Sequence, residues 1–92
     1  MVPRADYTTP PAELKRLGEA VRTLRKQRDL KQIEVATGAG LTESQISDIE
    51  NARNNPGWLL VMRLVNDGLG MELRDLVAAY ERGESESPES PR

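Results

Sequence analysis

The segment from Leu30 to Pro56 constrains the fold of this chain more than any other part of its sequence. It begins as a short helix whose apolar face carries Ile33, Val35 and Ala36. Gly38 and Gly40 then break this helix, because glycine tolerates the left-handed backbone that a sharp turn needs. A second helix follows at once, so the segment predicts two short helices joined by a tight turn.

The second helix of this pair presents polar side chains outward. Leu41 fills the corner of the turn, and Thr42 is well placed to cap the helix N-terminus. Ile46 and Ile49 lie on one side of the helix. The opposite side is polar and carries Glu43, Ser44, Ser47, Asp48 and Asn51. Two helices set at such a turn form the helix-turn-helix geometry, in which the second helix can enter the major groove of DNA.

Residues at characteristic spacings connect this chain with a known family. They are Leu17, Gly18, Leu24, Arg25, Leu30, Gln32, Ala36, Gly40, Ile46, Ser47, Ile49, Glu50, Asn51 and Pro56. Through these residues the chain resembles the Cro/cI-type helix-turn-helix domain, or Xre family, of phage and bacterial repressors. The resemblance runs from about Leu14 to Val77 and implies an all-α, five-helix, lambda-repressor-like DNA-binding domain.

Hydrophobic spacing predicts three further helices around this pair. The first runs from Pro11 to about Arg28, the fourth from about Trp58 to Asp67, and the fifth from about Glu72 to Glu81. Their apolar stripes are Leu14, Leu17, Val21 and Leu24, then Trp58, Val61, Met62 and Val65, then Leu73, Leu76, Val77 and Tyr80. Gly18 lies beside the first stripe, where its bare backbone permits close approach by a neighbouring helix.

The charge of the chain is unevenly distributed. The net charge is −2, yet residues 14–31 hold seven basic and two acidic side chains, which gives this stretch a charge of +5. A basic first helix beside a helix-turn-helix is suited to binding phosphates, although a solvated helix face would carry the same charges. We expect a flexible arm at residues 1–10, the domain at residues 11–80, and a disordered acidic tail at residues 81–92.

Composition excludes several classes of protein. Cys and His are both absent, so disulfides are excluded, transition-metal ligands are almost lacking, and no cofactor is expected. No apolar run approaches the ~18 residues of a membrane span, and no signal peptide is visible, so a cytoplasmic location is expected. Ser44 and Ser47 have no base partner, and no phosphate-binding glycine loop occurs, so an enzyme is not expected.

Two charged residues are expected inside the domain. Arg25 falls on the buried side of the first helix, and Glu50 borders the Ile46 edge of the third. A half-buried arginine favours a carboxylate that can accept two of its hydrogen bonds, and the family resemblance implies this pair. We therefore expect a structural Arg25–Glu50 ion pair, with a phosphate contact as the alternative role of Arg25.

Four further residues are candidates for binding DNA phosphates, namely Gln32, Lys31, Arg53 and Asn51. The resemblance implies that Gln32 contacts a phosphate at the start of the second helix, where the helix dipole favours an anion. The alternative for Gln32 is a solvated polar side chain. The resemblance also implies that Arg53 binds the DNA backbone. Ala52 stands where many relatives have glycine, which leaves the backbone path there open.

The outward face of the third helix is expected to read base edges. Its candidate residues are Glu43, Ser44, Gln45, Ser47 and Asp48. They include no basic side chain, so this helix repels phosphates and its binding depends on base contacts. Glu43 or Asp48 could accept from cytosine amino groups, while Gln45 or Ser44 could read other edges. The alternative is that this acidic face contacts protein.

Leu59 is an apolar residue in a polar sector of the fourth helix. Beside the apolar fifth helix, it is a candidate for a dimer interface made of Leu59, Leu73, Leu76 and Tyr80. The resemblance implies two-fold pairing through this region, which matches palindromic operators.

These observations favour a dimeric transcriptional regulator of phage or bacterial type that binds specific double-stranded DNA, with repression the expected activity. Two alternatives stay open. One is an antitoxin, which binds a toxin and represses its own operon, so that a toxin or other regulatory protein would be a second partner. The other is a controller protein of a restriction–modification operon.

Overall fold

The computed structural model describes residues 11–85, which fold into five α-helices. They are α1 (Ala12–Gln27), α2 (Gln32–Ala39), α3 (Glu43–Glu50), α4 (Trp58–Arg63) and α5 (Leu73–Ser85). Residues 11–85 contain no strand, and the all-α, five-helix prediction is confirmed. Across this part of the chain, no helix combines the length and the apolar character needed to cross a membrane.

The fourth helical segment changes its hydrogen bonding part-way. The sequence predicts one α-helix from Trp58 to Asp67, but the turn widens into a π-helix at Leu64–Gly68. There the N–H of Leu69 donates to the carbonyl of Leu64 at 2.9 Å. The wider turn packs closely on α2, since a Cβ at Gly68 would lie 2.8 Å from the carbonyl oxygen of Val35. α2 therefore packs against both this π turn and α3.

The fifth helix extends beyond its predicted end. α5 continues to residue 85 rather than to about Glu81, since Glu81 and Arg82 both favour helix. Residues 81–85, which the sequence assigns to the acidic tail, are therefore helical. The predicted arm, residues 1–10, and the rest of the predicted tail, residues 86–92, lie outside the described part of the chain.

The first three helices end in the same hydrogen-bonded motif, in which a left-handed residue reverses the chain. That residue is Asp29 after α1 (φ 57°), Gly40 after α2 (φ 72°) and Ala52 after α3 (φ 58°). After α2, the N–H of Leu41 donates to the carbonyl of Ala36 at 2.8 Å, which satisfies a carbonyl at the helix end. The turn predicted at Gly40 is confirmed, and Ala52 adopts the left-handed backbone despite its Cβ.

Gly38 has a different role from the predicted one. It lies inside α2 rather than in the turn, and a Cβ at this position would meet the carbonyl oxygen of Asp67 at 2.7 Å. Glycine is therefore needed at this position because α2 packs closely on the π turn. It is not needed to reverse the backbone.

The core is built from all five helices and the π turn. Its most completely buried large side chains are Val21, Val35, Ile46, Leu64 and Val65. In α2 and the fourth segment, two residues on predicted apolar faces are instead exposed, Ile33 by 47% and Trp58 by 63%. Both lie in the first turn of a short helix, and the buried stripe of the fourth segment begins one turn later, at Val61.

α1 crosses α3 at Gly18, which confirms the predicted close approach at this glycine. A Cβ at Gly18 would lie 2.5 Å from the carbonyl oxygens of both Ile49 and Glu50. Contact with backbone atoms can be relieved only by moving the two helices apart. The crossing therefore sets the distance between α1 and the C-terminal end of α3.

Gly18→Ala should lower the free energy of unfolding by about 1–3 kcal/mol, the usual cost of overpacking, because α1 and α3 must separate. Urea unfolding followed by circular dichroism measures this change. Gly83→Ala is the matched control, since the space around Gly83 in α5 is open and alanine is favoured over glycine in a helix. A Gly18→Ala protein as stable as wild type would show that the crossing tolerates a methyl group.

Candidate nucleic-acid interface

α3 begins with a reciprocal capping box. The backbone N–H of Gln45 donates to Thr42 Oγ1 at 3.1 Å, and the backbone N–H of Thr42 donates to Gln45 Oε1 at 2.9 Å. Gln45 is therefore partly engaged within the chain, and its Nε2 is the group that can still donate to a base edge. The Thr-x-x-Gln spacing is the sequence pattern of a capping box. The prediction that Gln45 reads bases does not include this role.

The outward face of α3 gathers four of the five predicted base-reading residues. Glu43 and Ser44 are exposed, while Ser47 and Asp48 are half-buried. Asp48 Oδ1 lies 3.6 Å from Arg53 Nη1, which forms a partly exposed ion pair at the C-terminal end of the helix. The face thus offers carboxylate oxygens and hydroxyl groups to a ligand.

A buried carboxylate at the end of α3, that of Glu50, joins three helices. It pairs with Arg25 of α1, whose Nε lies 2.6 Å from Oε2 and whose Nη2 lies 3.0 Å from Oε1. Gln32, the first residue of α2, donates from Nε2 to Oε1 at 3.0 Å. Arg25 Nη1 also donates to the carbonyl of Leu30 at 2.9 Å. The structure thus contains the expected Arg25–Glu50 ion pair and adds Gln32 as its third member.

The pKa of both charged partners is shifted by this network. Burial raises the pKa of Glu50, but the hydrogen bonds donated to its carboxylate, that of Arg25 first, outweigh burial and hold the pKa below its usual value. The hydrogen bond to Glu50 raises the pKa of Arg25, and burial opposes this effect without cancelling it. Both side chains are therefore charged at neutral pH.

The predicted phosphate-binding residues lie at two helix ends. Gln32 and Lys31 stand at the N-terminus of α2, where the exposed Lys31 is the N-cap residue and its backbone N–H donates to Glu34 Oε1 at 2.7 Å. One amide N–H of Gln32 is bonded to Glu50, which leaves a second for a phosphate. Arg53 is exposed just past the C-terminus of α3. Contact of these residues with phosphates stays a prediction.

Asn51, the fourth phosphate candidate, is held from two sides. Arg22 Nη2 donates to Asn51 Oδ1 at 3.1 Å, and Asn51 Nδ2 donates to the Ser47 carbonyl at 2.8 Å and to Ser47 Oγ at 3.3 Å. Arg22 Nε also lies 3.4 Å from Glu50 Oε1. Arg22 is missing from the predicted site, although it precedes Arg25 by three residues and so shares its helix face.

The four arginines of α1 and its C-cap do not form one surface. Arg16 stacks over the ring of Tyr80, 4.0 Å from its centroid, and so faces α5. Arg28 Nη2 donates to the carbonyl of Gly70 at 3.0 Å, just before α5. Arg22 and the buried Arg25 instead reach α3. Of these four arginines, only Arg22 and Arg25 therefore lie on the side of α1 that faces α3. Phosphate binding by the first helix stays a prediction for that side.

The predicted dimer residues divide between the surface and the core. Leu59 is 62% exposed, in agreement with its polar sector. Leu76 is 5% exposed, so its assignment to a dimer interface is wrong, because α5 packs this side against α1 within the monomer. Leu73 and Tyr80 are half-buried against the same core. Val77 is the exposed large apolar residue of α5.

Residues 16–86 match the protein family described as the helix-turn-helix domain. The chain belongs to this family. The match covers α1 from its second turn onward and all of α2 to α5, and it confirms the family relationship that the sequence predicts.

Two proteins of a Bacillus phage are similar to parts of this chain. It is 34% identical over 61 residues to the immunity repressor protein of Bacillus phage phi105, covering 66% of this chain and 42% of that protein. It is 38% identical over 50 residues to the ImmF control region 10 kDa protein of the same phage, covering 54% of this chain and 56% of that protein. The chain thus spans about half the length of the curated relatives it matches.

Among solved structures, the fold is similar to that of the restriction-modification controller protein C.AhdI from Aeromonas hydrophila. The TM-score is 0.67 at 29% sequence identity, and the alignment covers 72% of this chain and 98% of that chain. The aligned helices of this chain are therefore arranged as in that controller protein.

Glu50→Gln should destabilise the domain by about 3–5 kcal/mol at neutral pH, because Arg25 would lose the carboxylate of a buried ion pair. Since the pKa of Glu50 is lowered in the folded state, the stabilisation by its carboxylate is complete above the unfolded pKa of about 4.3. It is lost as the pH falls through the lower folded pKa. The difference in unfolding free energy between wild type and Glu50→Gln should therefore shrink on acidification.

Urea unfolding at a series of pH values measures this dependence. Glu13→Gln is the control, because it removes an exposed carboxylate from the first turn of α1 and should change stability little. A Glu50→Gln effect that is small, or that is the same at all pH values, would contradict the assigned role of the carboxylate.

Proposed function

We propose that this protein is a transcriptional regulator that binds a specific sequence of double-stranded DNA as a homodimer in the bacterial cytoplasm, and that it represses. The observation that carries the proposal is the polar outward face of α3, which the Glu50 network orients within a helix-turn-helix. Family membership supports DNA as the ligand, and the similarity to a phage immunity repressor supports repression.

Affinity would come from groups that flank the outward face of α3. Lys31 and one amide N–H of Gln32 lie at the N-terminus of α2, where the helix dipole favours an anion. Arg53 lies past the C-terminal end of α3, and its exposed pairing with Asp48 is weak enough for a phosphate to replace it. Asn51 is already hydrogen-bonded through both ends of its amide, so it would orient its neighbours rather than bind strongly.

Specificity would come mainly from hydrogen-bond acceptors on α3. An ionised carboxylate accepts but cannot donate, so Glu43 and Asp48 match the amino groups of cytosine or adenine in the major groove. Gln45 retains its Nε2 donor, which suits the acceptor atoms of guanine or thymine. The proposed operator therefore presents amino groups to the carboxylates of α3.

Two copies are proposed to bind together, because one reading helix contacts too few base pairs for specificity on a genome. Leu59 and its neighbour Trp58 are 62% and 63% exposed, so the first turn of α4 presents two large apolar side chains. Covering this turn with a second copy would remove both from water. A two-fold dimer would place its α3 helices at half-sites about 34 Å apart.

A controller protein of a restriction–modification operon is a second candidate. It is favoured by the similarity to C.AhdI, whose chain is covered to 98% by the alignment at 29% identity. Both candidates use the same DNA-binding chemistry. A restriction or methyltransferase gene next to the gene for this protein would favour the controller.

Selection from a random pool of duplexes at moderate salt should enrich one palindromic motif. Glu43→Gln and Ser44→Ala should then change the base preferred at individual positions, since a good base contact contributes about 1–3 kcal/mol of discrimination. Glu13→Gln removes a carboxylate from α1 and should leave the motif unchanged. The absence of any enriched motif for wild type would refute the regulator proposal, and an unchanged motif in both α3 variants would refute base reading by these residues.

Leu59→Glu should weaken dimerisation and cooperative operator binding while the monomer stays folded, because burying an unpaired charge in an interface is costly. Sedimentation at micromolar protein, with and without a palindromic duplex, measures both effects. Ala12→Glu is the matched control, since it adds the same charge at an exposed position on α1. One protomer per duplex, or a Leu59→Glu protein that dimerises as well as wild type, would contradict this interface.

A further inference from the structure

Glu50 Oε1 is surrounded by more donors than it can bind well. A carboxylate oxygen offers two lone pairs, and Arg25 Nη2 and Gln32 Nε2 each approach Oε1 to 3.0 Å. Arg22 Nε is the third donor and lies at 3.4 Å, beyond the usual hydrogen-bond range. Glu50 therefore holds Arg22 weakly, and the carboxylate would stay satisfied without it.

The charges of this cluster do not cancel. Arg25 and Glu50 neutralise each other across 2.6 Å, and Arg22 adds a second guanidinium, so the three side chains carry a net charge of +1. The Arg22 side chain is 38% exposed, against 12% for Arg25 and none for Glu50. The surplus positive charge is therefore the one that solvent, or an anion, can reach.

Asn51 fixes the place of this cation beside the outward face of α3. Arg22 Nη2 donates to Asn51 Oδ1 at 3.1 Å, and Asn51 donates in turn to Ser47. The orientation of the amide follows from its partners, because a guanidinium only donates and a carbonyl only accepts. A guanidinium has five N–H donors, and these contacts use those at Nε and Nη2. Arg22 thus has further donors next to the C-terminal end of α3.

We propose that Arg22 binds a DNA phosphate at the edge of the major groove, positioned by its hydrogen bond to Asn51. This assignment rests on the proposed DNA-binding function and identifies which basic residue of α1 contributes to it. On DNA, Arg22 exchanges its 3.4 Å contact with Glu50 for a charge-assisted pair with the phosphate, while Arg25 stays on the carboxylate. The same guanidinium orients Asn51 and, through it, Ser47. Hydrogen bonds therefore connect the proposed contact with the DNA backbone to the outward face of α3.

Salt titration of operator binding tests this assignment, with the duplex that wild type selects from a random pool. Arg22→Gln removes one phosphate contact per protomer, so the slope of log affinity against log salt should flatten by about 0.9 per protomer. Between about 50 and 200 mM salt, the affinity advantage of wild type over Arg22→Gln should then shrink roughly 3.5-fold per protomer. Arg22→Lys keeps the positive charge and should keep the wild-type slope.

Arg74→Gln is the matched control, because it removes an exposed arginine from α5 and should leave the slope unchanged. The urea midpoint of Arg22→Gln should stay close to that of wild type, since Glu50 keeps Arg25 and Gln32. A solely structural role for Arg22 would weaken binding by the same factor at every salt concentration, and such parallel lines would overturn the assignment.

Two other results would also overturn it, namely equal flattening by Arg74→Gln and a slope for Arg22→Lys as flat as that of Arg22→Gln. Failure of the underlying function looks different, because wild type itself would then select no motif from the pool. If wild type binds its operator and Arg22→Gln keeps the wild-type salt slope, the Arg22 contact is refuted while the proposed DNA-binding function stands.

Discussion

The arrangement of the first three helices depends on the hydrogen bonds that the carboxylate of Glu50 accepts. It lies buried at the end of α3 and accepts hydrogen bonds from Arg25 on α1 and Gln32 on α2. A buried charge without partners is costly, so the helices keep the one arrangement in which its donors converge. The free energy of apolar packing depends mainly on the buried area, whereas hydrogen bonds to a carboxylate also depend on the angle at which each donor approaches. The orientation of α3 is therefore set by polar geometry together with the core, and Gly18 permits the close crossing that this geometry needs.

The side chains that fix this orientation also line the proposed DNA surface. Gln32 joins α2 to α3 through one amide N–H and stands at the helix end where a phosphate would bind. Arg22 and Asn51 join α1 to the outward face of α3 in a similar way. Groups that are ordered before the ligand arrives lose less conformational freedom on binding. In this domain, stability and recognition therefore share Gln32, and a substitution there would affect both.

The helices and their turns could be predicted from sequence, because apolar spacing, capping residues and the glycine at Gly40 act locally. Ile33 and Trp58 fall on predicted apolar faces and are nevertheless exposed, because spacing shows which residues share a helix face but not where the neighbouring helix ends. The error at Leu76 has the same origin, since nothing in the sequence showed that α1 would cover this side of α5. In the site, the family resemblance and helix phase together indicated the Arg25–Glu50 pair. The contact of Arg22 with α3 depends on how the two helices cross, and that is a tertiary property.

The capping box places a structural constraint on Gln45 that its neighbour Ser44 does not have, and this affects how DNA specificity could evolve. Ser44 is exposed on the first turn, so under the proposed function a substitution there would alter the preferred base with little effect on folding. Gln45 also accepts a hydrogen bond from the backbone N–H of Thr42, so its substitution would break the reciprocal capping box at the start of α3. With the base reading proposed above, a lineage carrying this chain would therefore reach new operators through position 44, whereas position 45 is constrained by the helix that it helps to start.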